Sequence, residues 1–197
     1  MATLVDSYDE THSEPANAFY ISAYVGWLQG VGQCFTAATG KLYSAKFYLK
    51  KTNSPTGNAS AKVYAYTGTP GVDAKPTGAA LATSALFDVA TLTTDFQLIE
   101  FIFSGAERIQ LSAINYIVTF EYTGGDVSNV VNVGNDYVSP AHAGNGSFIQ
   151  TPTWTAMDDD VIFYLYEIIA TINNESSIEW ILYDTDFETV EHVLRGK

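Results

Sequence analysis

The clearest pattern along the chain is an alternation of apolar and polar positions with a period of two residues. Residues 41–51 place apolar side chains at four alternate positions, from Tyr43 to Leu49. Residues 59–68 and 114–122 alternate in a similar way. A period of two is typical of a strand that buries one face. The pattern therefore predicts a protein built from β-strands.

Turn-forming segments separate the predicted strands and set their number. Gly, Pro and Asn recur about every 8 to 15 residues, which gives roughly eight to ten strands. The segment 52–59 contains Pro and Gly and predicts a hairpin between the strands on either side of it. Residues 158–172 are apolar on both faces and predict a strand inside a sheet. The expected fold is all-β, an antiparallel jelly-roll sandwich with an N-terminal arm and a short C-terminal helix.

The two ends of the chain differ from this body. Residues 1–18 are polar and acidic and contain Pro15, so they predict an extended N-terminal arm. The β-sandwich domain is expected to span residues 19–172. Residues 173–197 are expected to form a tail that contains one strand and one helix.

A capping box predicts the tail helix, because Thr185 is followed three residues later by Glu188. Apolar residues then repeat at helical spacing. A helix this short is marginal in water unless its apolar stripe packs against something. That stripe docks either on the chain's own sandwich or on a neighbouring subunit or partner. The candidate partner interface consists of Trp180, Phe187, Val190 and Leu194.

Charge excludes one class of function. The 197 residues carry 22 acidic and 9 basic side chains, for a net charge of −13. Such a chain repels a polyphosphate backbone, so direct nucleic-acid binding is not expected, and neither is a basic membrane-binding surface. No basic residue occurs between Arg108 and Arg195. The acidic half is either a solvated surface or a complement to a cationic partner or Ca²⁺.

The cysteine content and the N-terminal residues indicate the cellular compartment in which the protein is made. Cys34 is the only cysteine, so no intramolecular disulfide can form. Residues 1–15 have neither a cationic start nor an apolar run of signal-peptide length, and the sequence contains no apolar stretch of about 18 residues. The sequence therefore predicts cytoplasmic synthesis with no signal peptide and no membrane segment.

Motifs of catalysis and cofactor binding are absent from the sequence, which predicts no enzyme and no cofactor. His12, His142 and His192 are not spaced as metal ligands, and no nucleophile elbow occurs. The acidic run Asp158 to Asp160, together with Asp136, has two interpretations. These carboxylates either face solvent at the entrance to a strand or cluster on turns as Ca²⁺ ligands, and their spacing does not match an EF-hand.

Aromatic side chains are the remaining candidates for ligand contact. Trp27, Trp154 and Tyr137 lie in or near turns of the predicted sandwich. Exposed aromatic rings stack on sugar rings, but sandwich cores and interfaces use the same residues. Trp154 and Tyr137 are the candidate glycan contacts.

The order of segments between about residues 28 and 167 resembles a β-sandwich domain common in phage virion proteins. Similar domains occur in carbohydrate-binding-like or anchoring regions of bacterial proteins. The segments that carry the resemblance are GQCFTA, KLYSAKFYLKK, SPTGNASAKVYAYTGTPG, KPTGAALATS, INYIVTFEYTGGDVSNVVNVGND, SPAHAGN and a Trp before DDDVIFYLY.

This resemblance implies a jelly-roll module used for structure, attachment or binding, and it supplies no catalytic residues. The function expected is that of a virion structural protein, as a capsid decoration, head-fibre or tail-associated subunit made in the host cytoplasm. Its partners would be other capsid or tail proteins and further copies of itself, with a trimer as the first oligomer to test. The alternative is a non-catalytic carbohydrate-binding module for surface attachment, with Ca²⁺ as an optional aid.

Overall fold

The computed structural model describes residues 1–169, and these residues form an all-β fold. Four short 3₁₀ turns lie between the strands, at Glu10–His12, Pro15–Asn17, Val89–Thr91 and Gly105–Glu107. The strands are β1 Ala2–Tyr8, β2 Phe19–Ile21, β3 Gly30–Thr36, β4 Lys41–Thr52, β5 Asn58–Thr67, β6 Lys75–Thr83, β7 Phe87–Asp88, β8 Gln97–Ile102, β9 Asn115–Tyr122, β10 Val130–Val133, β11 Asn135–Asp136, β12 Gly146–Gln150, β13 Thr153–Met157, β14 Asp160–Val161 and β15 Phe163–Ile168.

The strands form two large sheets and one small ladder, and all strand pairings in residues 1–169 are antiparallel. The six-stranded sheet has the order β1-β15-β4-β10-β2, and β8 also pairs with β4. The seven-stranded sheet has the order β13-β12-β3-β9-β5-β6, and β7 also pairs with β5. Ala45 of β4 pairs with both Leu165 and Phe101, so β15 and β8 lie on opposite edges of β4.

A shared apolar core joins the two sheets. Phe47 and Phe101 of the six-stranded sheet each contact Phe120 of the seven-stranded sheet, with ring centroids 6.0 and 5.8 Å apart. All three side chains are essentially inaccessible to solvent. Truncation of such a ring to Ala costs about 3 to 5 kcal/mol, because the cavity it leaves is refilled only in part. Burial of these alternate positions is what determines which face of each strand turns inward.

The N-terminal residues, expected as an extended arm, begin with a strand of the sandwich. β1 pairs with β15 along its length, and the register shifts by one residue between Leu4 and Asp6. Tyr8 at the end of β1 is buried and belongs to the core. The segment is polar in composition because an edge strand leaves much of its surface to solvent.

The hairpin predicted around residues 52–59 is wrong. β4 belongs to the six-stranded sheet and β5 to the seven-stranded sheet, so the intervening segment crosses from one sheet to the other. Asn53 and Gly57 both have positive φ, at 57° and 95°. Turn composition specifies a reversal of the chain, but it does not specify the strand with which the next one pairs.

The strand predicted at residues 158–172 is divided in two. β14 pairs with β11, while β15 lies between β1 and β4, which confirms the interior position expected for this strand. Ile162 separates them and donates its N–H to the carbonyl of Gly134.

Residues 170–197, with the predicted tail strand and helix, lie outside the described residues. Within the described chain, no helix has both the length and the apolar character needed to cross a bilayer.

Candidate functional site

Two buried carboxylates face each other at the end of the sandwich. Asp136 of β11 and Asp160 of β14 are direct cross-strand partners, and each is 2% exposed. Asp136 accepts hydrogen bonds from the Tyr8 hydroxyl at 2.7 Å and from two backbone N–H groups at 2.9 and 3.1 Å. Burial favours the neutral carboxyl, but these donors outweigh it and lower the pKa of Asp136.

Asp160 is held differently. Its oxygens accept one bond from Gln33 Nε2 and one from the backbone N–H of His142, both at 2.8 Å. Burial prevails here and raises the pKa of Asp160. Two negative charges on neighbouring buried carboxylates repel each other. The charge on Asp136 therefore adds to the rise in the pKa of Asp160, so Asp160 takes up a proton more readily than Asp136 does.

His142 connects this cluster to the edge strand β1. Its Nε2 lies 3.0 Å from Asp6 Oδ1, and its Nδ1 lies 3.0 Å from the backbone nitrogen of Gly144, whose N–H it accepts. The neutral Nε2–H tautomer satisfies both contacts, with Nε2–H donating to Asp6. Burial opposes a charge on His142, yet the hydrogen bond and charge of Asp6 raise its pKa. The contacts tie β1 to the loop that follows β11.

A cavity of about 340 Å³ lies beside this histidine. Asp6, Cys34, Thr36, Asn115 and His142 contribute to its lining. Burial raises the pKa of the Cys34 thiol to about 11, so the thiol stays protonated at neutral pH and is a poor nucleophile. Asp6 Oδ2 accepts the Thr36 N–H at 2.9 Å, which occupies the carboxylate facing the cavity. The polar groups of Asp6, Thr36 and His142 that line the cavity therefore already form hydrogen bonds with one another.

Of the acidic residues considered for Ca²⁺, Asp158 is exposed, as the first interpretation expected, whereas Asp136 and Asp160 take neither predicted role. Asp136 and Asp160 are buried among protein donors, so they do not face solvent. Asp159 lies 3.3 Å from Asn135 Nδ2, and burial raises its pKa. In residues 1–169, no three His, Cys, Asp or Glu side chains are grouped as metal ligands. The carboxylates act in the fold by joining β1, β3 and β14.

A second feature lies on the outer face of the six-stranded sheet. Strand register places Leu4, Tyr166, Ser44 and Ile102 in one row across β1, β15, β4 and β8. We call the exposed and half-buried part of this face the tyrosine face. It consists of Tyr48, Tyr164, Tyr166, Leu98, Glu100, Ile102, Lys46 and Lys50, with Glu100 directly opposite Lys46.

Apolar side chains on the tyrosine face are open to solvent. Leu98 and Ile102 are 38% and 42% exposed, and they point away from the core because Phe101 and Ile99 alternate with them on β8. Leu86, next to this edge, is also exposed. Aliphatic side chains combined with tyrosines on one sheet face form the composition that protein interfaces favour.

Lysine side chains lie over two aromatic rings, Tyr166 on the tyrosine face and Phe96 beside it. Lys46 Nζ lies 4.9 Å from the centroid of the Tyr166 ring, and Lys50 Nζ lies 4.5 Å from that of Phe96. Phe96 in turn stacks on Tyr48, with centroids 4.8 Å apart. Since these rings already have a lysine or another ring on one side, they form a surface of mixed cationic and apolar character.

The face ends in a cluster of open aromatic rings, the aromatic corner, made of Tyr20, Tyr24 and Trp27. Strand register places Tyr20 of β2 opposite Asn132 of β10, and Asn132 opposite Lys50 of β4. The aromatic corner therefore lies on the same side of the sheet as the tyrosine face and continues it. Tyr20 and Tyr24 each meet Trp27 edge-on, at 6.1 and 5.9 Å between centroids. A cavity of about 270 Å³ lies beside Trp27 and Tyr20.

The two predicted glycan residues lie elsewhere. Trp154 on β13 is half-buried, with its ring 6.1 Å from that of Tyr64. Tyr137 is 53% exposed in the segment after β11. No contact in the described chain joins Trp154 to Tyr137, whereas Trp27 lies with two exposed rings, Tyr20 and Tyr24. Phe187, Val190, Leu194 and Trp180 are outside the described residues.

The alternation of β4 gave a signal for the tyrosine face, because it placed Lys46 and Lys50 on the outward side. The half-buried positions of Tyr164 and Tyr166 were missed. Because tyrosine counts as apolar in a hydrophobic pattern, the pattern predicts that both faces of β15 are buried. In the buried acidic cluster, the sequence marked Asp136 and Asp160, but it did not mark their partners Tyr8 and Gln33, because these come from distant segments.

Comparisons of the chain with protein-family models, with curated proteins and with solved structures find no match.

Proposed function

We propose that the protein is a structural subunit of a phage or viral particle, a jelly-roll module that acts by assembly with other virion proteins and with copies of itself. The observation that carries this proposal is the tyrosine face. Leu98 and Ile102 expose apolar surface beside Tyr48, Tyr166 and Lys46 on one continuous sheet face. The order of segments that resembles phage virion domains supports the same assignment.

Burial of this face against a neighbour supplies the driving force for assembly. A specific interface removes about 1,000 Å² or more from water, and aromatic anchors contribute most of its free energy. On a repetitive particle surface, many weak contacts add through avidity. The same outer face is formed by β1, β15, β4 and β8, which are fixed by the core behind them. Assembly therefore needs no rearrangement of the sandwich.

Charge reversal of the apolar positions tests this function. We expect Leu98→Glu and Ile102→Glu each to weaken self-association at least tenfold, because each buries an unpaired carboxylate at the contact. Leu81→Glu is the matched control, since Leu81 is 44% exposed but lies on β6 of the other sheet. Light scattering after size exclusion measures the mass. A mass of one chain at all concentrations, or an equal effect of Leu81→Glu, contradicts the proposal.

The second candidate function is non-catalytic carbohydrate binding, which the aromatic corner favours. Tyr20 and Tyr24 are 48% and 46% exposed and meet Trp27 edge-on, so ring faces stay open for a sugar. The cavity beside Trp27 gives this corner a concave surface, and the amide of Gln150 in its lining adds a polar group. The glycan contact thus moves from Trp154 and Tyr137 to this corner.

A glycan array followed by calorimetry separates the two functions. If carbohydrate binding is the function, Trp27→Ala abolishes sugar affinity, since stacking on one ring supplies much of the contact. Trp154→Ala serves as the control, because its ring packs on Tyr64. Absence of sugar binding by the unaltered protein rejects the second candidate and leaves the first intact.

A further inference from the structure

Basic side chains are concentrated on one strand. Residues 1–169 contain seven lysines and arginines, and four of them lie on β4. Lys46 and Lys50 lie two residues to either side of Tyr48 and share the tyrosine face with it, and Glu100 is the acidic residue of that face. By contrast, Lys62 on the other sheet is paired with Glu121 at 2.5 Å. In a chain with a net charge of −13, this face is the place where an acidic segment is tolerated best.

The C-terminal segment has a matching composition. Residues 170–197 contain six acidic and two basic residues. The same segment contains apolar side chains at Trp180, Phe187, Val190 and Leu194. Carboxylates suit Lys46 and Lys50, while aromatic and aliphatic groups suit the exposed Leu98 and Ile102. The composition of this segment therefore complements the tyrosine face in charge and in apolar content.

The direction of β15 favours a contact between copies. β15 runs from Phe163, which pairs with Phe47, to Ile168, which pairs with Lys41. It therefore leaves the sheet travelling away from Lys46 and Lys50. A segment of 28 residues spans up to about 90 Å when extended, which is ample to contact a neighbouring molecule. Contact with its own tyrosine face requires a reversal of direction first.

We propose that the tyrosine face of one copy binds the acidic C-terminal segment, residues 170–197, of a second copy. This inference rests on the proposed function, because it names the partner of the surface already assigned to assembly. Each copy then offers one face that carries Lys46 and Lys50 and one acidic segment, which makes the contact heterologous. Such contacts close into a ring or extend along a particle.

Zero-length carbodiimide cross-linking of the full chain tests this contact directly. A carbodiimide joins a lysine amine to a carboxylate in direct contact, with loss of water to the reagent. Equal amounts of ¹⁴N- and ¹⁵N-labelled protein are mixed, assembled and cross-linked, and the peptides are identified by mass spectrometry. We expect Lys46 or Lys50 joined to Glu175, Glu179 or Glu188 in pairs of mixed label. Lys75 on β6 is the control lysine and should form no such pair.

The outcomes distinguish this inference from the proposed function. Pairs of a single label only would mean that the segment lies on its own chain, which overturns the inference. Self-association without any Lys46 or Lys50 link to residues 170–197 also overturns it, while leaving assembly intact. A protein that remains a single chain overturns both. In support, Lys50→Glu should raise the dissociation constant of self-association about tenfold, whereas Lys75→Glu should leave it unchanged.

Discussion

At the residue scale, the buried acids differ according to how their oxygens are satisfied. Both oxygens of Asp136 and of Asp160 accept hydrogen bonds from the protein. Glu167 on β15 is fully buried, and only its Oε1 accepts a bond, from the N–H of Ala38 at 3.1 Å. Its Oε2 has no partner in the described chain. Burial therefore raises the pKa of Glu167 to about 7 from its ordinary value of 4.5.

This raised pKa predicts a pH dependence of stability. Below pH 4.5, Glu167 is protonated in both the folded and unfolded states, so its burial has no ionisation cost. Between pH 4.5 and 7, the unfolded chain ionises while the folded chain stays protonated. The free energy of unfolding therefore falls as pH rises, by about 3 kcal/mol in total. Glu167→Gln removes this contribution, so the variant gains stability relative to the unaltered protein as pH rises.

Urea unfolding at pH 5 and pH 8 measures the difference. Glu100→Gln is the matched control, because Glu100 is exposed on β8 of the same sheet and its substitution leaves the buried site intact. The result opposed to this account is a stability difference between Glu167→Gln and the unaltered protein that is the same at both pH values.

At the element scale, local patterns predicted strands better than they predicted their partners. The alternation in residues 41–51 and 114–122 predicted β4 and β9, because burial of one strand face needs only neighbouring residues. Pairing depends on contacts far apart in sequence. Turn composition therefore could not show that the chain crosses to the other sheet between β4 and β5. Polarity likewise could not show that β1 pairs with β15 at the far end of the described chain.

The candidate sites follow the same division. Lys46 and Lys50 lie on the outward side that alternation in β4 predicted, so the part of the tyrosine face on β4 was visible in the sequence. Tyr164 and Tyr166 were not, because a tyrosine fits buried and exposed positions equally. The contacts of Tyr8 with Asp136 and of Asp6 with His142 join residues more than 100 positions apart, so no local pattern marks these pairs.

The N-terminal strand allows a prediction at this scale. Deletion of residues 1–8 removes the ladder with β15, the Tyr8 hydroxyl that binds Asp136 and the Asp6 carboxylate that binds His142. We expect a loss of more than about 2 kcal/mol in the free energy of unfolding, because a buried carboxylate loses a partner. Leu4→Thr is the control, since it keeps the strand. A change below about 0.5 kcal/mol upon deletion would fit a detached arm.

At the scale of the whole molecule, lysines and exposed apolar side chains coincide on the tyrosine face. The net charge of −13 keeps copies apart, while the tyrosine face carries lysines and open apolar side chains on the six-stranded sheet. Association is then specific, because most other orientations bring acidic surfaces together. The seven-stranded sheet carries the paired Lys62 and Glu121 and is expected to lie outside the contact between copies.

Electron microscopy of the purified full chain tests this account most directly. The account predicts discrete oligomers or rows in which the outer face of β4, β8 and β15 lies against a neighbouring copy. The ring faces of Tyr166 and the side chains of Leu98 and Ile102 should be inside that contact. Single particles at every concentration, or assemblies joined through the seven-stranded sheet with the tyrosine face in solvent, would contradict it.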